Sequence, residues 1–177
     1  MLKNLKLENL TKALIEALED EYKARATYRL VIQKFGEIRP FVNIIEAEER
    51  HIQALLPLFE KYQIPIPVDD WENRVQIPES VLSACQAGVQ AEIENGEMYE
   101  RLLALTSDFP DVQRVFLNLQ RASQENHLRA FQRCVQRAGN PGGSRGKGRG
   151  KGRGHQGRGG RRHCDNPTHP PTPPTLS

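Results

Sequence analysis

The sequence predicts an all-α protein in which four helices form two antiparallel hairpins joined by a long crossover, with a disordered basic tail. Three observations support this fold class. Apolar residues recur with helical periodicity in four segments of residues 1–137, which show almost no strand-like alternation. Two connections between these segments are short and one is long. Residues 138–177 differ sharply in composition from the rest.

The first hairpin contains the first two helices. Periodicity predicts a first helix over about residues 9–35, ended by Gly36, a residue typical of helix C-termini. The second helix is expected over about residues 40–62, because Pro40 suits a first helical position. Pro57 lies inside this helix and is expected to kink it.

The second hairpin follows a proline-rich connection, residues 63–78. The third helix is expected over about residues 79–105. The fourth should start after Ser107 and Asp108, with Pro110 in its first turn, and end near residue 139. Sixteen extended residues reach ~50 Å, whereas a helix of ~25 residues is ~37 Å long. The long connection can therefore cross the bundle, which gives the ferritin-like arrangement of a four-helix bundle.

Charge and composition divide the chain into two parts. Residues 1–137 carry 17 Lys and Arg against 21 Asp and Glu, a net charge of −4. Residues 138–177 carry 8 basic residues against one acid, a net charge of +7, and hold 11 of the 14 glycines. Such a segment cannot bury enough apolar surface to offset its ordering entropy. We therefore expect a domain over 1–137 and a disordered tail over 138–177.

Targeting signals are not evident in the sequence. The N-terminal residues contain no uninterrupted apolar run, and no segment approaches the ~18 apolar residues of a membrane span. Three cysteines do not make a disulfide framework. A cytoplasmic protein without membrane contact is expected.

Acidic residues interrupt the apolar stripe near the middle of three predicted helices, and histidines do so on two. An unpaired ionised carboxylate costs several kcal/mol to bury. Three such carboxylates carry −3 and two divalent ions carry +4, so the balance favours a metal centre over protonated carboxyls. Glutamate and histidine three residues apart also share one helix face, as in metal sites of helix bundles. The candidate ligands are Glu21, Glu48, His51, Glu92 and His127.

The pattern of the first hairpin repeats in the second. Glu21-x-x-Ala24-x-x-x-Tyr28 recurs as Glu92-x-x-Asn95-x-x-x-Tyr99, and Glu48-x-x-His51 recurs as Gln124-x-x-His127. Two matched pairs in the same order predict a site with approximate twofold symmetry between the hairpins.

These motifs resemble those of the ferritin-like superfamily of di-iron carboxylate proteins, within it the rubrerythrin-like branch. The segments Phe41–His51 and Asn126–Phe131 resemble more closely a bacterial ferritin-like domain family of unknown function. The resemblance covers about residues 9–137. It implies Glu21 and Glu92 as terminal ligands of one metal each, Glu48 as a bridging or capping ligand, and one histidine on each metal.

The resemblance also implies that Tyr28 and Tyr99 hydrogen-bond the ligands. Gln124 stands where rubrerythrins have a glutamate, and Asn95 where they often have another acid. Both changes remove charge from one half of the site. The cysteine pairs of full rubrerythrins are absent from the sequence, which excludes a built-in rubredoxin-type iron centre.

The implied cofactor is iron, as one or two ions, with manganese or zinc also compatible with the ligands. The implied chemistry is Fe(II) oxidation by peroxide or dioxygen, of the ferroxidase or peroxidase type, in metal handling or oxidative stress. The alternative is a non-catalytic helical module whose tail binds nucleic acid. A homodimer is compatible with either interpretation.

Two further features carry open alternatives. Cys85 and Cys134 are expected at one level of the second hairpin, as two small buried residues or, less favoured, as a redox-sensitive pair. In the tail, basic residues alternate with glycine and no aromatic residue is interleaved. This pattern indicates weak, salt-sensitive contact with a polyanion, or a solubilising segment without a partner. The basic residues are Arg145, Lys147, Arg149, Lys151, Arg153, Arg158, Arg161 and Arg162.

Overall fold

The computed structural model describes residues 2–140, and every regular element in this range is helical. The elements are α1 (Leu2–Phe35), α2 (Phe41–Tyr62), a 3₁₀ turn (Trp71–Asn73), α3 (Val81–Leu105), α4 (Pro110–Ala122), a π-helical turn (Ser123–His127) and α5 (Leu128–Gly139). The predicted all-helical class is thereby confirmed. No helix within 2–140 is long and apolar enough to cross a bilayer. The tail residues Arg145–Arg162 lie outside the described range.

The helix boundaries follow from local chemistry. α1 begins at Leu2, seven residues before the predicted start. The hydrophobic pattern does not indicate this first part of the helix, because residues 4–8 are exposed and carry no periodic apolar signal. It ends before Gly36, whose φ of 86° is a left-handed conformation that glycine adopts without strain. α3 begins after Ser80, whose hydroxyl accepts a hydrogen bond from the Ser83 backbone amide.

The fourth predicted helix is interrupted. α4 starts at Pro110, as expected, but the chain forms a π-helical turn over Ser123–His127 before α5 continues. A π-helical turn contains i→i+5 hydrogen bonds and changes the rotational register of everything that follows it. α4, the turn and α5 together span the segment predicted as one helix.

The helices pack against one another in pairs. α1 lies against α2, α3 lies against α4 and α5, and the two pairs meet where α1 contacts α3 and α2 contacts α4. Their apolar side chains form two separate clusters, one around Leu14, Phe59 and Phe116, the other around Phe41 and Phe131. Along each helix, the buried polar residues lie between members of these two clusters.

The crossover between α2 and α3 runs along α1. Arg25 of α1 pairs with Asp69 at 2.5 Å, Arg29 pairs with Glu72, and the Lys34 ammonium donates to the Pro78 carbonyl at 2.9 Å. These contacts place the crossover beside the space between α1 and α3.

Cys85 of α3 and Cys134 of α5 are joined by a disulfide, with their Cα atoms 5.7 Å apart. The favoured expectation of two separate core thiols is therefore corrected, although both residues are buried as expected. The bond can form because Cys85 precedes the buried Glu92 by seven residues and Cys134 follows the buried His127 by seven residues. On adjacent antiparallel helices these equal offsets bring the two cysteines to the same level.

Candidate metal centre

Five side chains from the helical segments converge between the two apolar clusters. Glu21, Glu48, Glu92 and His127 are each at most 6% exposed, and His51 is half-buried. They form two groups whose ligand atoms lie within 4.8 Å of one another, Glu21–Glu48–His51 and Glu48–Glu92–His127. Both groups combine carboxylate oxygens with an imidazole nitrogen, which is the donor set of a divalent transition metal.

Glu48 is common to both groups. Its Oε2 lies 2.9 Å from the Nδ1 of His51, and its Oε1 lies 3.4 Å from the Nδ1 of His127. The two imidazole rings stack with centroids 5.5 Å apart. One carboxylate therefore faces two histidines from different helices, with one oxygen directed at each.

The outer carboxylate of each group lies beside its histidine. Glu21 Oε2 is 3.1 Å from His51 Nδ1, and Glu92 Oε1 is 3.6 Å from His127 Nδ1. The two halves thus have the same composition, with slightly longer distances in the second half.

Two tyrosines hold the outer carboxylates across the hairpins. The Tyr99 hydroxyl donates to Glu21 Oε1 at 2.8 Å, and the Tyr28 hydroxyl donates to Glu92 Oε1 at 3.2 Å. Each tyrosine thus contacts the glutamate of the other motif copy, and both phenols are buried. Hydrogen bonds of this kind orient metal ligands and raise their affinity for the ion.

Ser123, absent from the predicted site residues, also contacts a candidate ligand. Its hydroxyl donates to Glu92 Oε2 at 2.6 Å. Ser123 and His127 are the first and last residues of the π-helical turn, and both are buried. The turn therefore directs both side chains inward.

The charges of the site are balanced mainly by shared protons. Burial, and next the charge of Glu21, raise the pKa of Glu48 well above its usual value. Burial alone would raise the pKa of Glu21 and lower that of His51. Hydrogen bonds and charge between His51 and the two glutamates outweigh burial, so the pKa of Glu21 is lowered and that of His51 rises to about 10.

No lysine or arginine among residues 4–140 forms an ion pair with the three buried glutamates. Arg25, about one helical turn from Glu21 on α1, pairs instead with Glu49 and Asp69. The ion pairs of the buried glutamates are with His51 and His127. A cation bound between the carboxylates would displace the shared protons and supply positive charge in their place.

Gln124 and Asn95 do not face the cluster as the sequence symmetry suggests. The Gln124 amide donates to the backbone carbonyl of Glu92 at 2.5 Å and packs against Gly96, where a Cβ would lie 2.6 Å from it. The Asn95 amide donates to Asp20 at 2.8 Å, and its buried Oδ1 has no partner. Gln124 is turned toward α3 because the π-helical turn places Ser123 beside Glu92 instead.

Asp20 is a further, half-buried acid that sequence reasoning missed. Burial, and next the charge of Glu21, raise its pKa to about 6. Its signal in the sequence was only its place next to Glu21, one position off the apolar stripe. Five other acids that lie off the apolar stripes are exposed, and these are Glu46, Glu49, Glu94, Glu97 and Glu125.

A cavity of about 430 Å³ adjoins the cluster. Glu92, His127 and Tyr28 line its inner part, and it extends past the crossover to exposed Ala87 and Ala91 of α3. A small molecule can therefore approach the carboxylates through the space between α1, α3 and the crossover.

The chain is similar to a protein family, to a protein of known sequence and to a solved structure. Residues 11–143 match a family described as an uncharacterized protein domain (DUF2202). The uncharacterized protein MJ0754 of Methanocaldococcus jannaschii is 31% identical over 141 residues, which cover 71% of this chain and 75% of that protein. A crystal structure of hypothetical protein MJ0754 from Methanococcus jannaschii aligns with a TM-score of 0.65 at 30% identity, covering 73% of this chain and 81% of that one.

Proposed function

The chain belongs to the DUF2202 family, and we propose that it is a metal-binding protein whose buried cluster holds two iron ions for redox chemistry. The observation that carries the proposal is the position of Glu48. Its two oxygens face His51 and His127 separately. With one oxygen beside each histidine, Glu48 would help to hold one ion together with His51 and a second ion together with His127.

The spacing between donor atoms supports this assignment. Two ligands about 2.1 Å from one ion lie roughly 3.0 Å apart in octahedral geometry and roughly 3.4 Å apart in tetrahedral geometry. The Nδ1 of His51 lies 2.9 and 3.1 Å from its two neighbouring carboxylate oxygens, and the Nδ1 of His127 lies 3.4 and 3.6 Å from its two. The side chains need little movement to enclose an ion in either half.

We also infer that the helices form a four-helix bundle with ferritin-like connectivity and a rubrerythrin-like ligand set. The pairwise packing of the helices and the course of the crossover along α1 support this arrangement. The reciprocal hydrogen bonds from Tyr28 to Glu92 and from Tyr99 to Glu21 support a twofold relation between the hairpins.

Iron is the proposed metal because carboxylate and imidazole ligands suit it, with manganese and zinc as competitors. Bound iron would supply electron transfer, with two Fe(II) oxidised to Fe(III) while one hydrogen peroxide and two protons become two waters. The protein orients the carboxylates through Tyr28, Tyr99 and Ser123, and the cavity admits the oxidant.

The alternative is a non-catalytic module in which the core glutamates are protonated or paired with arginine. Among residues 4–140 the buried glutamates pair with no arginine, so the form of this alternative that remains is protonation, which the raised pKa of Glu48 allows. A binding role for the tail is compatible with both functions.

The direct test is elemental analysis and Fe(II) titration of the full chain purified without chelator. We expect two ions per chain, and a higher melting temperature in the presence of metal, because a ligand at 100 times its Kd stabilises the folded state by about 2.7 kcal/mol. Glu48→Gln should lose both effects. Glu46→Gln, an exposed position two residues away, should retain them. Equal binding by the two variants, or none by the unmodified chain, would refute the metal centre.

A further inference from the structure

We propose that Cys85 and Cys134 are a redox-active dithiol that returns two electrons to the metal centre after peroxide reduction. This inference rests on the proposed function and names the electron donor of that same site. It adds a thiol-oxidising activity, in which the disulfide of the structure is the oxidised state.

The cysteines stand in register with two candidate ligands. Cys85 precedes Glu92 by seven residues on α3, and Cys134 follows His127 by seven residues along α5. Seven residues of an α-helix are nearly two turns, or about 10 Å along the axis, so each cysteine shares a helix face with its ligand. The disulfide therefore lies two turns from the half of the centre that contains Glu92 and His127.

An aromatic layer fills the space between the disulfide and the ligands. Phe131 lies between His127 and Cys134 in the sequence, and its ring packs against Gly88, where a Cβ would come within 2.5–2.7 Å of the ring. The Phe131 and Tyr28 ring centroids are 5.4 Å apart. The Tyr28 hydroxyl in turn donates to Glu92. Packed side chains thus connect the cysteine pair with a ligand carboxylate.

The burial of the cysteines argues against direct reaction with a dissolved oxidant. Cys85 is 0% exposed and Cys134 is 3% exposed, and both belong to the apolar cluster around Phe131. Buried cysteines in apolar surroundings are inert, whereas oxidation in solution requires exposed thiolate. Oxidation of this pair therefore depends on electron transfer through the metal centre.

The reaction balances with hydrogen peroxide as the oxidant. The two thiols lose two electrons and two protons, and the S–S bond forms. The O–O bond of one peroxide breaks, accepts those electrons and protons, and gives two waters. The iron ends in the oxidation state in which it began. In compartments that keep thiols reduced, disulfides are usually transient and catalytic or sensing. A second cycle requires a thiol reductant, which gives two electrons and two protons to the S–S bond and is itself oxidised to a disulfide.

The test uses the full chain with Cys164→Ser, so that the two helical cysteines are the only thiols. The protein is reduced, loaded with Fe(II) without oxygen, and given one equivalent of hydrogen peroxide. Intact mass and thiol titration then follow the cysteines, while absorbance follows Fe(III). We expect both thiols to be lost within the first turnover. The metal-free chain and Glu48→Gln should lose them at least tenfold more slowly.

Three outcomes would overturn the proposal. If the thiols persist while Fe(III) accumulates, the cysteines do not donate electrons to the iron, and the proposed iron site is unaffected. Equal thiol loss in the metal-free chain would show direct oxidation. Failure to bind iron would remove both proposals together.

A second variant separates electron donation from a purely structural bond. In the variant that carries both Cys85→Ser and Cys134→Ser, the iron should remain as Fe(III) after peroxide is added, because no thiols are present to return the electrons. The parent protein should return to Fe(II). The same final valence in both proteins would contradict the dithiol.

Discussion

Glu48 illustrates how much of the site depends on one side chain. Its carboxylate is 3% exposed and has its pKa raised well above the usual value, first by burial and then by the charge of Glu21. In the absence of metal, the proton on Glu48 and the proton on His51 hold the cluster together. A metal ion has to displace protons from the site, so binding should release protons and strengthen as pH rises.

Tyr99 provides a prediction at the residue scale. Tyr99→Phe removes the 2.8 Å hydrogen bond to Glu21 Oε1 and leaves the carboxylate less well oriented. We expect a 10–100-fold loss of metal affinity, the usual effect of removing a ligand's hydrogen-bond partner. Fe(II) or Mn(II) titration measures it.

Tyr62→Phe is the matched control, because that hydroxyl donates to Asp111 outside the candidate site. Its metal affinity should equal that of the unmodified chain. A Tyr99→Phe protein with unchanged affinity would show that Glu21 does not depend on the phenol for its orientation.

The π-helical turn is the element that shapes the second half of the site. Buried residues of this segment fall at Leu119, Ser123, His127 and Phe131, three successive steps of four residues. In an α-helix each such step rotates the position by about 40° beyond a full turn. The wider π-helical turn absorbs part of this drift and keeps all four side chains inward. The four-residue spacing of these positions is therefore the feature of the sequence that indicates a π-helical turn in this segment.

Gly88 gives a prediction at the scale of packed helices. Gly88→Ala places a Cβ within 2.5–2.7 Å of the Phe131 ring, which is held between Tyr28 and Phe41. Overpacking of this kind costs about 1–3 kcal/mol. Thermal unfolding should show a melting temperature lower by roughly 2–12 °C.

Two comparisons isolate this steric effect. Gly139→Ala should be nearly neutral, because the nearest atom to its Cβ is 4.0 Å away. Adding Phe131→Leu should recover part of the loss in Gly88→Ala. If Gly88→Ala melts at the temperature of the unmodified chain, α3 and α5 are not in the close contact described above.

The chain as a whole combines an acidic helical part with a basic tail. The described helices carry the candidate metal centre, and the crossover is tied to α1 by Arg25, Arg29 and Lys34. The tail from residue 138 carries a net charge of +7. Because the two parts have different chemistry, their activities should be separable.

The prediction at this scale concerns truncation after Asn140. The truncated chain should bind metal with unchanged stoichiometry and lose the salt-dependent binding of polyanions expected of the full chain. The full chain's log affinity for single-stranded DNA should fall with log salt by about 0.7 per phosphate contacted. Filter binding at several salt concentrations measures this. Replacing the eight basic tail residues with glutamine should reproduce the truncation, and binding retained by either variant would exclude the tail.

The sequence by itself determined the helical class, the bounds of α2 and α3 to within about two residues, and the three buried glutamates. Periodicity marks the side that each helix buries, and a carboxylate on that side is conspicuous because it is costly to bury. Glu21, Glu48 and Glu92 were identified on this ground, and all three are buried.

Only the tertiary structure decided which of these side chains meet. The sharing of Glu48, the hydrogen bonds from Tyr28 and Tyr99, and the Cys85–Cys134 bond all join residues far apart in sequence. Helical periodicity fixes the direction of a side chain about its own axis. It does not fix the rotation and level of one helix against another, which depend on packing across the whole core. Within the π-helical turn, Ser123 contacts the Glu92 carboxylate while Gln124 contacts the Glu92 backbone carbonyl, a distinction that sequence spacing does not provide.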